Sequence, residues 1–197
     1  ADYPKQYLRF SQKKYTYNNI SQLNRNRLLT TYDFADGIKT GHTSSAGYCL
    51  AASASINETR FISVIFGANS SKARFKDTKT LFKFGFRNFI TEKYFNKNKV
   101  IAKERIWNGE KKYIDIGFNR NIYITQMKHD DSKITPKINL LSKIQAPIRI
   151  NQYLGTIDFV KDNKIISTEK IYALKRIEEG NLYRKTYDFI ANFFIEE

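Results

Sequence analysis

The chain has 197 residues, 41% of them apolar, which is enough for one large or two small domains with a sizeable core. A single cysteine, Cys49, excludes an internal disulfide; one cysteine and two histidines offer no metal-ligand spacing, and no apolar run approaches the ~18 residues of a membrane-spanning helix. Lys plus Arg number 34 against 19 Asp plus Glu, and the net charge of +15 favours acidic partners such as nucleic acid, anionic lipid or cell-wall polymer.

A plainer reading of the charge is a solvated surface, because Lys, Asn and Ile are enriched together. Cys49 stands in an apolar run and reads as a small buried hydrophobe. Residue 1 is not Met and no signal segment is present, so the expectation is a chain that starts inside a larger protein.

Residues 1–35 are polar, with an Asn-Arg-Asn-Arg run at 24–27, and read as loops with short strands. GYCLAASA at 47–54 and TRFISVIFG at 59–67 are rich in β-forming residues and predict a hairpin of two central strands, turning over Ser55–Glu58. Asn69-Ser70-Ser71 can cap a helix, and Ala73, Phe75, Thr78, Leu81, Phe82, Phe86 and Phe89 follow helical spacing to about residue 90. The polar stretch 96–99 then marks a candidate boundary. IAKERIW and KYIDI flank Asn108-Gly109, a strong hairpin signal, and NIYIT, ITPKINL, YLGTIDFV, KIIS and KIYALKRI follow at the spacing of a small β-sandwich or barrel. In the last segment Leu182, Tyr183, Tyr187, Ile190, Phe193 and Phe194 share one side of a helix, with Arg184, Asp188 and Asn192 opposite.

The chemistry concentrates in Asp36-Gly37-Ile38-Lys39-Thr40-Gly41-His42-Thr43, just ahead of the hairpin. A bare Lys-Thr-Gly is weak evidence, but DGIKTGHTxxAGYCLAASA is a specific context. An edge strand beside a reaction site can bond an extended peptide as an added strand. Gly41 leaves room for the peptide backbone, Lys39 adds positive charge, and the Thr40 hydroxyl can donate to a carboxylate.

This stretch resembles the Lys-Thr-Gly strand of the serine penicillin-binding proteins, and the likeness runs the full length of the chain. YPKQY (3–7), YTYNNISQLNRNRLL (15–29), RFISVIFGA (60–68) and LFKFGFRNF (81–89) look like the first domain of the D-alanyl-D-alanine carboxypeptidases. RIWNGEKK (105–112), LLSKIQAPI (140–148) and YLGTIDF (153–159) look like their β-rich second domain, and EEGNLYRKTYDFI (178–190) like the start of their C-terminal anchor.

The resemblance implies an α+β chain. Residues 1–92 form the C-terminal part of a penicillin-binding/β-lactamase-like domain, 93–177 a small all-β sandwich, and 178–197 an amphipathic membrane-anchor helix. It implies Lys39 as a catalytic residue and Lys39, Thr40, Gly41, His42 and Arg74 as substrate-binding residues, with Lys39, Thr40 and Arg74 in one electropositive pocket for a terminal carboxylate. The implied activity is removal of the terminal D-Ala of peptidoglycan pentapeptide through a serine acyl-enzyme. No Ser upstream of Lys39 is followed three residues on by Lys in a plausible helical setting, and no Ser-x-Asn precedes it, so the nucleophile is expected outside this chain and the chain alone is expected to be inactive. The expected partners are peptidoglycan pentapeptide, β-lactams in the full-length protein, and the inner-membrane surface on its periplasmic side. No cofactor and no metal are expected. A non-catalytic remnant that contacts peptidoglycan or membrane is the rival. Nucleic acid is not an expected partner, because no RNA-recognition signature, zinc finger or helix-turn-helix pattern is present.

Overall fold

The computed structural model describes residues 3–130, 132–141 and 143–193. The fold is α+β and divides into two compact units. One holds the described residues up to Glu92 together with Thr125–His129; the other holds Lys93–Ile124 and the described residues from Asp130 onward.

The first unit opens with a helical turn, α1 (Pro4–Tyr7), and a 3-10 turn over Leu8–Ser11. A small hairpin follows, β1 (Lys14–Tyr17) paired with β2 (Ile20–Leu23), and then a short helix, α2 (Leu28–Thr31). The segment read as loops with short strands thus also carries helical turns, each too short to leave a 3.6-residue pattern. Three antiparallel strands come next, in the order β3 (Ala35–Thr43), β4 (Gly47–Ile56) and β5 (Thr59–Ala68). Between β4 and β5 the ladder continues to Ile56↔Thr59, so the turn is the two residues Asn57-Glu58, with Asn57 at φ 52.

Helix α3 (Ser71–Asn88) starts where the Ser70 hydroxyl accepts from the Ala73 amide at 3.0 Å, an N-cap as expected. It packs on one face of the sheet: Phe75 and Phe82 cluster with Leu28, Leu50, Ala52 and Ala54. The opposite face of β5 stays open, with Ile62 66%, Val64 50% and Phe66 79% exposed. β6 (Phe89–Phe95) leads onward and forms a two-stranded sheet with β9 (Ile122–Met127).

In the second unit the five-stranded sheet has the order β10-β11-β12-β8-β7. Its strands are β7 (Val100–Arg105), β8 (Tyr113–Gly117), β10 (Thr135–Leu140), β11 (Tyr153–Lys161) and β12 (Lys164–Ala173). Alternate residues Ile114 and Ile116, and Ile157 and Phe159, point into a core that Phe95, Ile122 and Ile124 of β6 and β9 cover from the other side. Two expectations change here. KIIS and most of KIYALKRI form one strand, β12, because Thr168 and Glu169 between them continue the ladder with β11, opposite Asp158 and Ile157. Asn108-Gly109 is not a two-residue hairpin turn: β7 and β8 pair at Arg105↔Tyr113, and the loop between them is longer. The last element, α4 (Leu182–Phe193), belongs to this unit.

Candidate active-site strand

β3 is the edge of its sheet: β4 pairs one side, and the other side has no partner among the described residues. Successive residues of a strand alternate between faces. Thr40 stands opposite Leu50 on the face that α3 covers and is buried, whereas Lys39 stands opposite Ala51 on the other face and is exposed. The Lys39 ammonium folds back to donate to the Thr40 carbonyl at 2.8 Å. Gly41 and His42 are exposed, and the His42 ring lies 4.1 Å, centre to centre, from the Tyr48 ring across the ladder.

Arg74 enters from the first turn of α3, on Thr40's side of the sheet. Its Nη1 donates to the Gly41 carbonyl at 2.9 Å and to the Cys49 carbonyl at 3.1 Å, and its Nη2 to the Ser71 hydroxyl at 3.2 Å. The guanidinium lies over the rings of Tyr48 and Phe75, at 5.5 and 5.0 Å, a cation–π arrangement. Burial pushes the Arg74 pKa below its ordinary value, while Tyr48 and Cys49 pull the other way. Its Nε is buried without a hydrogen-bond partner among the described residues. The structure therefore joins Arg74 to Gly41 directly and puts Thr40 on the same face, but strand alternation turns Lys39 away from both. Cys49 is half-buried and not enclosed: it pairs with Gly41 close to the turn that joins β3 to β4.

Sequence reasoning missed the groups that hold β3 from the other end. Asn26 is 1% exposed; its Nδ2 donates to the Gly37 carbonyl at 2.9 Å, and its Oδ1 accepts from the Leu28 amide at 3.2 Å. Asp36 accepts from the Tyr7 hydroxyl at 3.0 Å and from Arg60 at 2.6 Å, and Arg60 also reaches the Ser53 hydroxyl. Nothing in an Asn-Arg-Asn-Arg run marks its third residue as buried; its proximity to the strand was the one available signal.

Two stretches read Ser-x-x-Lys literally. Ser11 closes the 3-10 turn and Lys14 opens β1, while Ser167 and Lys170 both lie on β12, where residues three apart face opposite ways. Neither has the one-turn helical spacing that sets the two side chains on one face. Among the described residues no group of His, Cys, Asp and Glu could hold a metal ion.

Residues 1–70 match the D-alanyl-D-alanine carboxypeptidase family, and residues 89–179 match the C-terminal domain of penicillin-binding protein 5. The chain belongs to the D-alanyl-D-alanine carboxypeptidase family. It is 38% identical over 196 residues to D-alanyl-D-alanine carboxypeptidase DacA of Escherichia coli, covering 98% of this chain and 48% of that protein. Against DacF of Bacillus subtilis the identity is 34%, over 80% of this chain and 41% of that protein. The chain thus spans about half the length of the curated relatives it matches. Among solved structures it resembles penicillin-binding protein 5 of Haemophilus influenzae, with a TM-score of 0.75 and 35% identity, over 90% of this chain and 53% of that one.

Proposed function

We propose that the protein carrying this chain is a serine D-alanyl-D-alanine carboxypeptidase that trims peptidoglycan pentapeptide. The observation that carries this reading is the unpaired edge of β3, with Lys39 through His42 on it. A pentapeptide end laid along that edge bonds to the strand through its backbone, and Gly41 admits it without a side-chain clash. A serine outside this chain attacks the carbonyl of the penultimate D-Ala. The new C–O bond forms as the C–N bond breaks, the serine proton leaves with the D-Ala amine, and water then cleaves the ester. The Lys39 ammonium adds field at the reacting centre, and the backbone N–H near His42 faces the developing oxyanion. Thr40 and Arg74 serve the terminal carboxylate.

A second element supports a place on the periplasmic face of the inner membrane. α4 turns Leu182, Tyr183, Tyr187, Phe189 and Ile190 outward, at 81%, 81%, 50%, 77% and 53% exposure. No helix among the described residues is long and apolar enough to cross a membrane, and the mode we propose is an interfacial helix.

Labelled penicillin tests the enzymatic reading. The whole protein should form one covalent adduct and release D-Ala from pentapeptide, and this chain by itself should form none. A stoichiometric adduct on this chain would overturn the placement of the nucleophile. Peptidoglycan binding by the whole protein without acylation would establish the rival, a non-catalytic binding module.

A further inference from the structure

An amphipathic helix on a globular domain ordinarily buries its apolar stripe. α4 does the reverse. Its one buried side chain among those described is Asp188, 1% exposed, and this carboxylate faces the β domain. It accepts from the Asn108 backbone N–H at 2.8 Å, with Arg105 at 3.4 Å and Arg184 at 3.3 Å. The chain entering α4 is tied to the same loop: the Gly180 N–H donates to the Asn108 carbonyl at 2.8 Å, and Glu179 bridges Gly109. A carboxylate gives up water only for compensating charges and donors, so this contact selects one orientation of the helix.

Trp107 sits beside the latch. Arg105 lies 4.0 Å above its ring and Lys143 5.7 Å from it, and Trp107, Lys143, Asp188 and Phe189 line one small cavity. Indole rings flanked by cations suit the polar–apolar boundary of a bilayer with anionic headgroups.

We propose that Asp188 latches α4 by its polar face onto the Trp107–Gly109 loop, so that lipid meets one rigid composite face made of the helix stripe together with Trp107 and Lys143. This rests on the reading of α4 as an interfacial helix. In place of a loose tether, the latch sets the orientation of the β domain on the bilayer.

Trp107 is the only tryptophan in the chain and is its own reporter. The 197-residue chain is mixed with vesicles of phosphatidylcholine and phosphatidylglycerol whose acyl chains are brominated; binding is followed by flotation and depth by quenching of Trp107. The native chain should float and lose most of its Trp107 emission, more so with phosphatidylglycerol than without. Asp188→Ala, with its stripe intact, should still float but keep most of its emission. Asp188→Asn, which retains an acceptor for the Asn108 N–H, should float with intermediate quenching; it decides the matter if the alanine variant loses its helix by circular dichroism. Native chain that floats with Trp107 unquenched overturns the composite face and leaves the interfacial helix standing. Equal quenching in native chain and both variants overturns the latch. Native chain that does not float overturns the interfacial helix itself.

Discussion

Arg74 is bonded to Gly41: its Nη1 donates to the Gly41 carbonyl at 2.9 Å and, in the same position, to that of Cys49 at 3.1 Å. One buried cation thus braces β3 against β4 at the glycine proposed to admit a substrate backbone. Arg74→Ala should destabilise the first unit by about 1–3 kcal/mol, the cost of losing charge-assisted hydrogen bonds to two part-buried carbonyls. Arg74→Lys should recover only part, because a point charge cannot serve two carbonyls and the Ser71 hydroxyl as a planar fork does. Chemical denaturation of the three forms measures both.

The brace and the proposed carboxylate receptor separate in the whole enzyme. Losing the brace slows a free-acid substrate and its C-terminal amide alike, whereas losing a receptor slows only the free acid. Arg74→Ala should slow both, and the free acid further, by about 1.5–3 kcal/mol in transition-state terms for a charge-assisted bond. Equal slowing would leave Arg74 as a positioning residue alone.

Asn26 and Asp36 hold the start of β3 with very different leverage. Asn26 is 1% exposed and satisfies a buried carbonyl, so Asn26→Ala should cost about 1–3 kcal/mol and speed amide exchange along β3. The Arg60–Asp36 pair has side chains 45% and 31% exposed, and Arg60→Ala should cost no more than about 1 kcal/mol. The ordering of the two variants in a denaturant titration is the check.

Gly155 adopts φ +153 at a register shift between β11 and β12. A Cβ there would stand 2.3 Å from the Asn139 carbonyl oxygen and 2.8 Å from the Leu140 Cα, both backbone atoms of β10. Gly155→Ala should therefore destabilise the second unit by more than about 1 kcal/mol and disturb the β10–β11 ladder. Amide exchange at residues 135–140 should rise in that variant.

The pH dependence of the second unit has an acid limb. Hydrogen bonds from Lys161, then from Ser132, hold the Asp130 carboxyl down to about 2, and Lys175 holds Asp115 below the usual carboxylate value. Groups depressed in the folded state stabilise it above their unfolded pKa and lose that contribution as pH falls through the folded one. Unfolding midpoints should decline from roughly pH 4 towards pH 2, and Asp130→Asn should flatten that limb. An unchanged limb in the variant would remove Asp130 from the account.

The core of the second unit unites residues from β8, β9, β11 and β12, while that of the first is a smaller cluster under α3, with Ile62, Val64 and Phe66 open on the other face of its sheet. Hydrogen exchange on the 197-residue chain should accordingly be slower in the β-rich unit. Equal protection in both would contradict this.

Local chemistry carried much of the reading. The Ser70 cap, the phenylalanines of α3 and the apolar runs of β4 and β5 each state their element within a few residues, because capping and side-chain periodicity act between near neighbours. The DGIKTGH context likewise pointed to the family from sequence alone. Tertiary structure decided which face and which partner each residue meets. Asn108-Gly109 has the chemistry of a tight hairpin, yet the Asn108 N–H is spent on Asp188, 80 residues away. Arg74 spends its donors on carbonyls 25 and 33 residues earlier, and Thr40 and Lys39 part company because adjacent strand residues face opposite ways. α4's stripe is plain in sequence, but that its polar side faces the domain follows from Asp188 finding the Asn108 amide and the Arg105 guanidinium there, 80 and 83 residues earlier. A charged side chain is buried only where the fold supplies its partners, and those partners lie far along the chain.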